Sequence, residues 1–595
     1  MEKSHSAERC AQTLQAFHTT YAPDAYELLG VHEENGRTVF RVWAPHADAV
    51  WVCGTFGSFG SSAIAMTRIT NGGVWEAWAQ TDTVPAGTVY RYRIQNGIKE
   101  IYQTDPYGYA LQAPYQTASV VTDINGHVWR DGSWLKYRAK HFGNGRAVAQ
   151  PINIYSLHLG SWMRNETKNE PLSFETLARE LSSYVKQMGY THISLLPLAE
   201  HFSDASHGFL TCGYFSPTSR HGSPRDLMRF VDSMHEAGIG VLMEWTATYF
   251  PKNAGGLASF DGDPLYEDGD GDGNIRHFDL TRPEVRSFLL SNAVYWIERY
   301  HIDGLCVHGP HGSFFGELNA YLAKHYPDVI TVSRSQDVSR SDGFTFLQNA
   351  ARMEAPLSYM QTDPLWRKFD HAKMISSFTS DAKTCEIVGI THRDVSGGRG
   401  SLLSRMHGDY LQKFAGARLF LAYLMTLPGK KLLFMGSELG QFDEWRADKQ
   451  TEWFLTEFEQ HAMMQQYCAE LGHFYLNQPA LWERDGRSDC FAWIDVHNAD
   501  HSIFSYRRRA ADGKELIILL NFTPVVREDF LLAVPSEGVY DEVFNTNLKK
   551  YGGSDDHASR AVGTVYTPNR NARHAIRVTV PPLSAIIYQR REESG

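Results

Sequence analysis

Residues 153–159 read NIYSLHL, 192–198 HISLLPL, 240–246 GVLMEWT and 304–308 GLCVH. Three more runs follow, VITVS (329–333), IVGIT (387–391) and LLFMGSE (432–438). Each is short, apolar and rich in β-branched residues, as expected of strands buried on both faces. Helical spacing fills several of the intervals, at Phe174–Met188, Pro224–Glu236 (entered through Ser223), Val285–Tyr300, Glu317–Tyr326 and Leu411–Thr426. Strands alternating with helices over this length predict a parallel (β/α)8 TIM barrel rather than an open sheet.

Working outward, the texture changes on both sides. Before the barrel, FRVWAP (40–45), VWVCGTF (50–56) and VYRYRI (89–94) alternate and are separated by Gly, Asn and Pro, the pattern of a small antiparallel sandwich. After about Gln478 strands return without helices, in CFAWIDV (490–496), SIFSYRR (502–508), ELIILLNF (515–522) and HAIRVTVPPLSAIIY (574–588). The expected organisation is a multidomain α/β chain: a helical leader at 1–25, a β-sandwich module at 26–135, the barrel at 150–477 and a C-terminal β-sandwich at 478–595. At 595 residues the chain exceeds what a single core supports.

The 57 Lys and Arg against 68 Asp and Glu leave a net charge of -11, which argues against a nucleic-acid partner. The seven cysteines are scattered without a CxxC spacing, so neither a zinc site nor a disulfide framework is expected. No apolar run is long enough for a membrane span, and a cytoplasmic location is the expectation. Aromatic residues reach 13% of the chain; Trp43, Trp51 and Trp75 are read as candidates for an exposed sugar-stacking face of the first sandwich.

Chemistry in a barrel of this type sits where the strands end on the C-terminal face. The strand ends supply Glu244, His308, Arg334 and the run His392, Arg393, Asp394. Convergence on one cavity would put His308, Arg334, His392 and Arg393 together, with Glu244 and Asp394 as the nearest acids. Such arginines would either recruit an anion or pair with those acids and close the cavity. Separately, Asp268, Asp270, Asp272 and Asp279 fit most of a calcium loop of the EF-hand kind, with Gly273 and Ile275 at their usual places. The glutamate such a loop needs at its twelfth position is the shorter Asp279, so an acidic loop without metal is favoured over calcium binding. No cofactor is expected.

Several long strings resemble glycogen (1,4-α-glucan) branching enzymes of glycoside hydrolase family 13: IYSLHLGSW (154–162), GYFSPTSRHGSP (213–224), HEAGIGVLMEW (235–245), LSNAVYWIERYHIDGL (290–305), GRGSLLSRMHGDYLQKFAGARL (398–419), PGKKLLFMGSELGQFDEW (428–445) and LNFTPVVRE (520–528). FRVWAP and DPYG (105–108) resemble the starch-binding-type module that precedes the barrel in that family. The resemblance implies α-glucan or glycogen as ligand and a retaining mechanism, in which one carboxylate attacks the sugar, a second acid protonates the leaving oxygen and a third steadies the distorted ring.

This chain departs from the family at those three positions. The nucleophile string resembles GLRVDAV, but GLCVHGP places His308 at the aspartate and Cys306 at the arginine. The acid/base string TIAEES becomes TVSRSQ, with Arg334 at the glutamate, and LSHDEV becomes ITHRDV, with Arg393 at the stabilising aspartate. The aspartate and histidine of DWVPGH align with Glu244 and Tyr249; of the sugar-holding positions, Tyr214 and His392 are kept. Arginine stays protonated and cannot hand over a proton, and added positive charge raises the energy of a cationic transition state. The acids that an alignment slip would bring in are Asp394 and Asp337, and the flanking strings match without gaps. The favoured reading is a pseudoenzyme that binds α-glucan or partners an active glycogen enzyme. Its rivals are an active branching enzyme with non-standard residues and a sugar-phosphate or anion sensor.

Overall fold

The computed structural model describes residues 2–56, 63–112, 118–165, 167–253, 255–269, 271, 273–309, 312–334, 342–378, 385–555, 560–567 and 573–592. Eight strands form the central parallel sheet: Asn153–Leu157, His192–Leu195, Gly240–Trp245, Gly304–His308, Ile330–Arg334, Phe346–Leu347, Ile387–Ile390 and Lys430–Phe434. Numbered along the chain, they lie in the order 6-5-4-3-2-1-8-7, and a parallel bridge between Leu347 and Glu386, next to the seventh strand, closes the ring. Nearly all of their residues are buried, because helices cover the outside and side chains fill the inside. The sixth strand has only two residues and carries no periodicity.

By contacts the chain divides into two compact units that cut across the sequence domains. The first holds Met1–Tyr137, His158–Leu181 and Leu195–Phe344. Within it, Gly30–Glu34, Arg37–Trp43, Val74–Gln80 and Thr67–Arg68 make one antiparallel sheet; Ile64–Ala65, Ala49–Gly54, Val89–Asn96 and Lys99–Gln103, with Ser119–Val120 paired to Val89–Asn96, make the other. Asp105, the first residue of DPYG, is buried and accepts the Tyr90 and Tyr92 hydroxyls at 2.7 and 3.1 Å. Burial pushes its pKa up to about 6, against the pull of those bonds.

The structure corrects the aromatic reading of this module. Trp43 and Trp75 are core residues, 3% and 7% exposed, and their indole N–H groups donate to the backbone oxygens of Gly72 and Ala44. A thin sandwich needs its large side chains inside, and each buried indole N–H needs an acceptor. Trp51 is half-buried, with the Arg93 guanidinium 4.3 Å above its ring.

The leader is the helix Glu2–Thr19. With the turn that follows it fastens onto the barrel helix Pro283–Tyr300: His18 meets Glu284 at 2.9 Å, and the Ala22 and Tyr26 amides donate to the Ser287 and Ser291 hydroxyls. Helix Pro224–Glu236 starts at a capping box, Ser223 and Asp226 exchanging side-chain-to-backbone bonds, with Pro224 in its first turn.

The second unit holds Arg138–Leu157, Ser182–Ser194 and Thr345–Gly595. In it the seventh and eighth barrel strands run in register from Ile387↔Lys430 to Ile390↔Leu433. Gly389 is required there, since a Cβ would sit 1.8 Å from the Leu432 carbonyl oxygen. The C-terminal region is an eight-stranded antiparallel sheet over a core that includes Ile503, Ile517, Leu519, Leu532, Tyr540, Ile576 and Ile586. Among the described residues no helix is long and apolar enough to cross a membrane.

Candidate functional site

In the first unit, barrel strands three, four and five lie side by side, with Glu244 opposite Cys306 and His308 opposite Arg334. This register sets the acid of strand three beside the side chains that end strands four and five. His308 Nε2 bonds to Glu244 Oε2, and Arg334 Nη1 lies 2.6 Å from Glu244 Oε1. The side chains are 0%, 7% and 6% exposed for Glu244, His308 and Arg334. A carboxylate so deeply buried is tolerable only when both oxygens meet positive or donating partners, and here both do.

The surroundings hold this arrangement. Thr248 donates its hydroxyl to the His308 carbonyl at 2.7 Å. Gly309, at φ 97°, leaves room for that hydroxyl, which would lie 2.4 Å from a Cβ. The Phe209 ring meets the His308 ring edge-on at 4.9 Å. Neither Phe209 nor Thr248 carries a motif; both come from connecting segments, where spacing gives no signal.

Tyr214 is buried, and its hydroxyl donates to the backbone oxygens of Thr246 and Tyr249 at 3.2 and 2.8 Å. Its polar end braces the chain that follows strand three. Tyr249 is half-buried in the short strand Tyr249–Pro251, opposite His277. His158, just past the first strand, contacts Ser161 Oγ at 2.9 Å; burial pushes its pKa down to about 3, which leaves the ring neutral.

The second unit contains the other predicted residues. His392 to Val395 form one turn of 3-10 helix, with His392 buried and Arg393 exposed. The His392 ring lies near Phe434 and Trp445, each 6.1 Å away. Asp394 caps the same turn. Its Oδ2 accepts the Thr391 amide at 2.8 Å and the Thr391 hydroxyl at 2.7 Å. Burial raises its pKa, and those bonds work in the other direction. A further buried acid, Glu438, ends the LLFMGSE stretch and accepts the Tyr155 and Tyr184 hydroxyls at 2.6 and 2.8 Å. Burial raises its pKa as well. Its place in the turn just after the eighth strand is the available signal.

Of the candidate calcium ligands, Asp270 and Asp272 lie outside the described residues, as does Asp337. Asp268 donates its backbone amide to the His277 oxygen. Both carboxylate oxygens of Asp279 have partners within the chain: Oδ1 accepts from the Thr281 amide and hydroxyl, and Oδ2 from Arg282. Among the described residues no cluster of three or more His, Cys, Asp or Glu could hold a metal ion.

Residues 28–108 match the family described as carbohydrate-binding module 48 (isoamylase N-terminal domain), and residues 493–591 match the alpha amylase C-terminal all-beta domain. In three dimensions the chain is similar to the apo pullulanase of Paenibacillus barengoltzii, with a TM-score of 0.72 at 16% identity over 97% of this chain and 98% of that one. The pullulanase of Bacillus acidopullulyticus gives 0.69 at 17% identity, over 94% and 75%. Such identities bear on the fold alone. In sequence the chain is 36% identical to the 1,4-alpha-glucan branching enzyme GlgB of Halothermothrix orenii, over 96% of this chain and 97% of the other. It is 37% identical to that of Aquifex aeolicus (95% and 96%) and to that of Geobacillus stearothermophilus (96% and 94%). Similarity at this level along almost the whole length, with the barrel and both flanking β domains in place, means that the chain belongs to the 1,4-alpha-glucan branching enzyme family.

Proposed function

We propose that this member of the family is a pseudoenzyme of α-glucan metabolism, one that binds α-glucan or partners an active glycogen enzyme in the cytoplasm without transferring glucan itself. The observation that carries the reading is the buried Glu244, held between His308 and Arg334 at the strand ends where the family's nucleophile and acid/base would stand. His308 bonds to Glu244 through Nε2 and offers no carboxylate that could form a glycosyl ester. Arg334 keeps its proton and cannot protonate a leaving oxygen. Asp394 and Glu438 are engaged by Thr391 and by two tyrosines. The anion-sensor reading is weakened by the same contact, because Arg334 already has an internal counter-charge.

The sequence domains of this reading are the module at 26–135, the barrel at 150–477 and the C-terminal domain at 478–595. The carbohydrate-binding match supports the glucan half of the proposal. The test is an amylose-branching assay with purified full-length protein beside electrophoresis through glycogen-containing gel. Retention by glycogen with no new α-1,6 linkages and no new reducing ends is expected. Branching that disappears on substituting Glu244, Asp394 or Asp337 would overturn the pseudoenzyme reading.

A further inference from the structure

Large apolar side chains on a protein surface are common singly and uncommon in contiguous groups. Residues 362–371, TDPLWRKFDH, present such a group: Leu365, Trp366 and Phe369 are 76%, 60% and 68% exposed. Among the described residues Trp366 is the one tryptophan turned out to solvent. The Trp366 and Phe369 ring centroids are 6.0 Å apart, with planes within 27° of each other, and Lys368 Nζ lies 5.2 Å from the Phe369 ring.

The loop is fixed from beneath. Arg367, 1% exposed, donates to three backbone oxygens: Phe522 at 2.6 Å, Met360 at 2.8 Å and Thr362 at 3.0 Å. Four residues on, His371 stacks on Phe504 at 4.1 Å and bonds to the Val496 oxygen at 3.0 Å. Asp363 accepts the Leu365 amide at 2.9 Å and turns the chain before the rings. A buried cation with three carbonyl partners is a costly anchor unless the geometry it fixes is held firmly. The backbone that carries the two rings is therefore fixed.

We propose that Trp366 and Phe369 form a stacking platform for an α-1,4-glucan chain, a binding site additional to the carbohydrate-binding module; this rests on the glucan-binding reading above. Pyranose rings present flat C–H faces that pack on aromatic planes, with hydroxyls left over for polar neighbours. Lys368 lies against the Phe369 ring, and close by in the chain are Asp363, with His407 3.7 Å from its carboxylate, and Asp370 with Lys373. A protein partner fits less well. A stable protein interface takes roughly 800 Å² from each side, and three side chains supply a fraction of that.

The experiment compares full-length wild type with Trp366→Ala, Phe369→Ala and the double variant, by retention in amylose- and glycogen-containing gels and by maltoheptaose titration. Sedimentation velocity and thermal melting are run on each. Both rings are exposed, so the melting temperature is expected to stay unchanged. Each single variant should bind about tenfold more weakly, about 1.4 kcal/mol, and the double variant more weakly still. Wild-type retention that the double variant keeps in full would overturn the platform and leave glucan binding to the module. Wild type that is not retained at all would overturn the glucan reading and the platform with it. Self-association of wild type that the double variant loses, with retention unchanged, would assign the rings to a second copy of the chain instead.

Discussion

Replacing Arg334 with Met is expected to loosen the barrel strand Gly304–His308 far more than loss of one ion pair on a surface would. Glu244 is 0% exposed, with Arg334 at one carboxylate oxygen and the His308 ring at the other. Without Arg334, Oε1 remains buried with its charge poorly matched, and breaking a buried pair from one side costs about 3–5 kcal/mol. The chain has several domains, so a single global unfolding free energy is the wrong readout. Amide exchange across strand four reports the local opening instead. At about 1.4 kcal/mol per tenfold, exchange there should accelerate by about two to three orders of magnitude.

Adding Glu244→Gln to Arg334→Met removes the stranded charge, and most of the protection should return, since neutral replacements of whole buried pairs are often tolerated. The double variant is the discriminating one. If Arg334→Met alone leaves exchange within a factor of about three of wild type, Glu244 is being solvated from the barrel mouth. The site would then be an open one that water and ligands reach, and the anion-sensor reading would regain its footing. Protection lost and then restored supports a mouth sealed by its own side chains.

How much of this could be read from the sequence depends on what determines each feature. Barrel strands buried on both faces announce themselves: every residue of NIYSL and of GVLMEW is buried, and most of them are apolar. Phe346–Leu347 escapes because two residues have no period to detect. Strand ends gave Glu244, His308 and Arg334 as candidates, but which cation meets which acid follows from register across three neighbouring strands. That register is a long-range property, absent from any one segment. Trp43 and Trp75 differ from expectation for a related reason: successive residues beside them are buried, so both faces are covered there and alternation marks no exposed one. The Trp366 segment joins the short helices Glu354–Gln361 and His371–Phe378, and its meaning came only from the buried anchors that follow the ring, Arg367 and His371.

The barrel's stability should also carry a pH signature set far from these strand ends, by His235. This residue ends helix Pro224–Glu236, with its side chain 0% exposed. Its Nδ1 lies 2.9 Å from Asp131 and its Nε2 2.8 Å from Asp303. Carboxylates only accept, so both ring nitrogens must donate and the ring is an imidazolium. Burial opposes the charge, but the Asp303 and Asp131 carboxylates outweigh it and hold the pKa up to about 9. Asp303 is in turn fixed by the Trp134 indole at 2.8 Å and the Val241 amide at 2.6 Å. A rise from 6.5 to about 9 is worth about 3 kcal/mol. Because the folded pKa lies above the unfolded one, that contribution is complete below about pH 6.5 and is lost as pH climbs through about 9. Asp131 acts in the opposite sense. Burial works against its charge, yet His235 and His301 hold its pKa below the ordinary carboxylate value, so its contribution fades as pH falls. Melting temperature recorded from pH 6 to pH 10 should therefore decline in wild type more than in His235→Gln, because other groups titrate in both and cancel in the difference. At pH 7 amide exchange in the adjoining strand Gly240–Trp245 should already be about two to three orders of magnitude faster in His235→Gln, since Asp131 and Asp303 lose the cation between them. Parallel profiles for the two proteins would mean that the ring is neutral in the folded chain and that one of the two aspartates carries the proton instead.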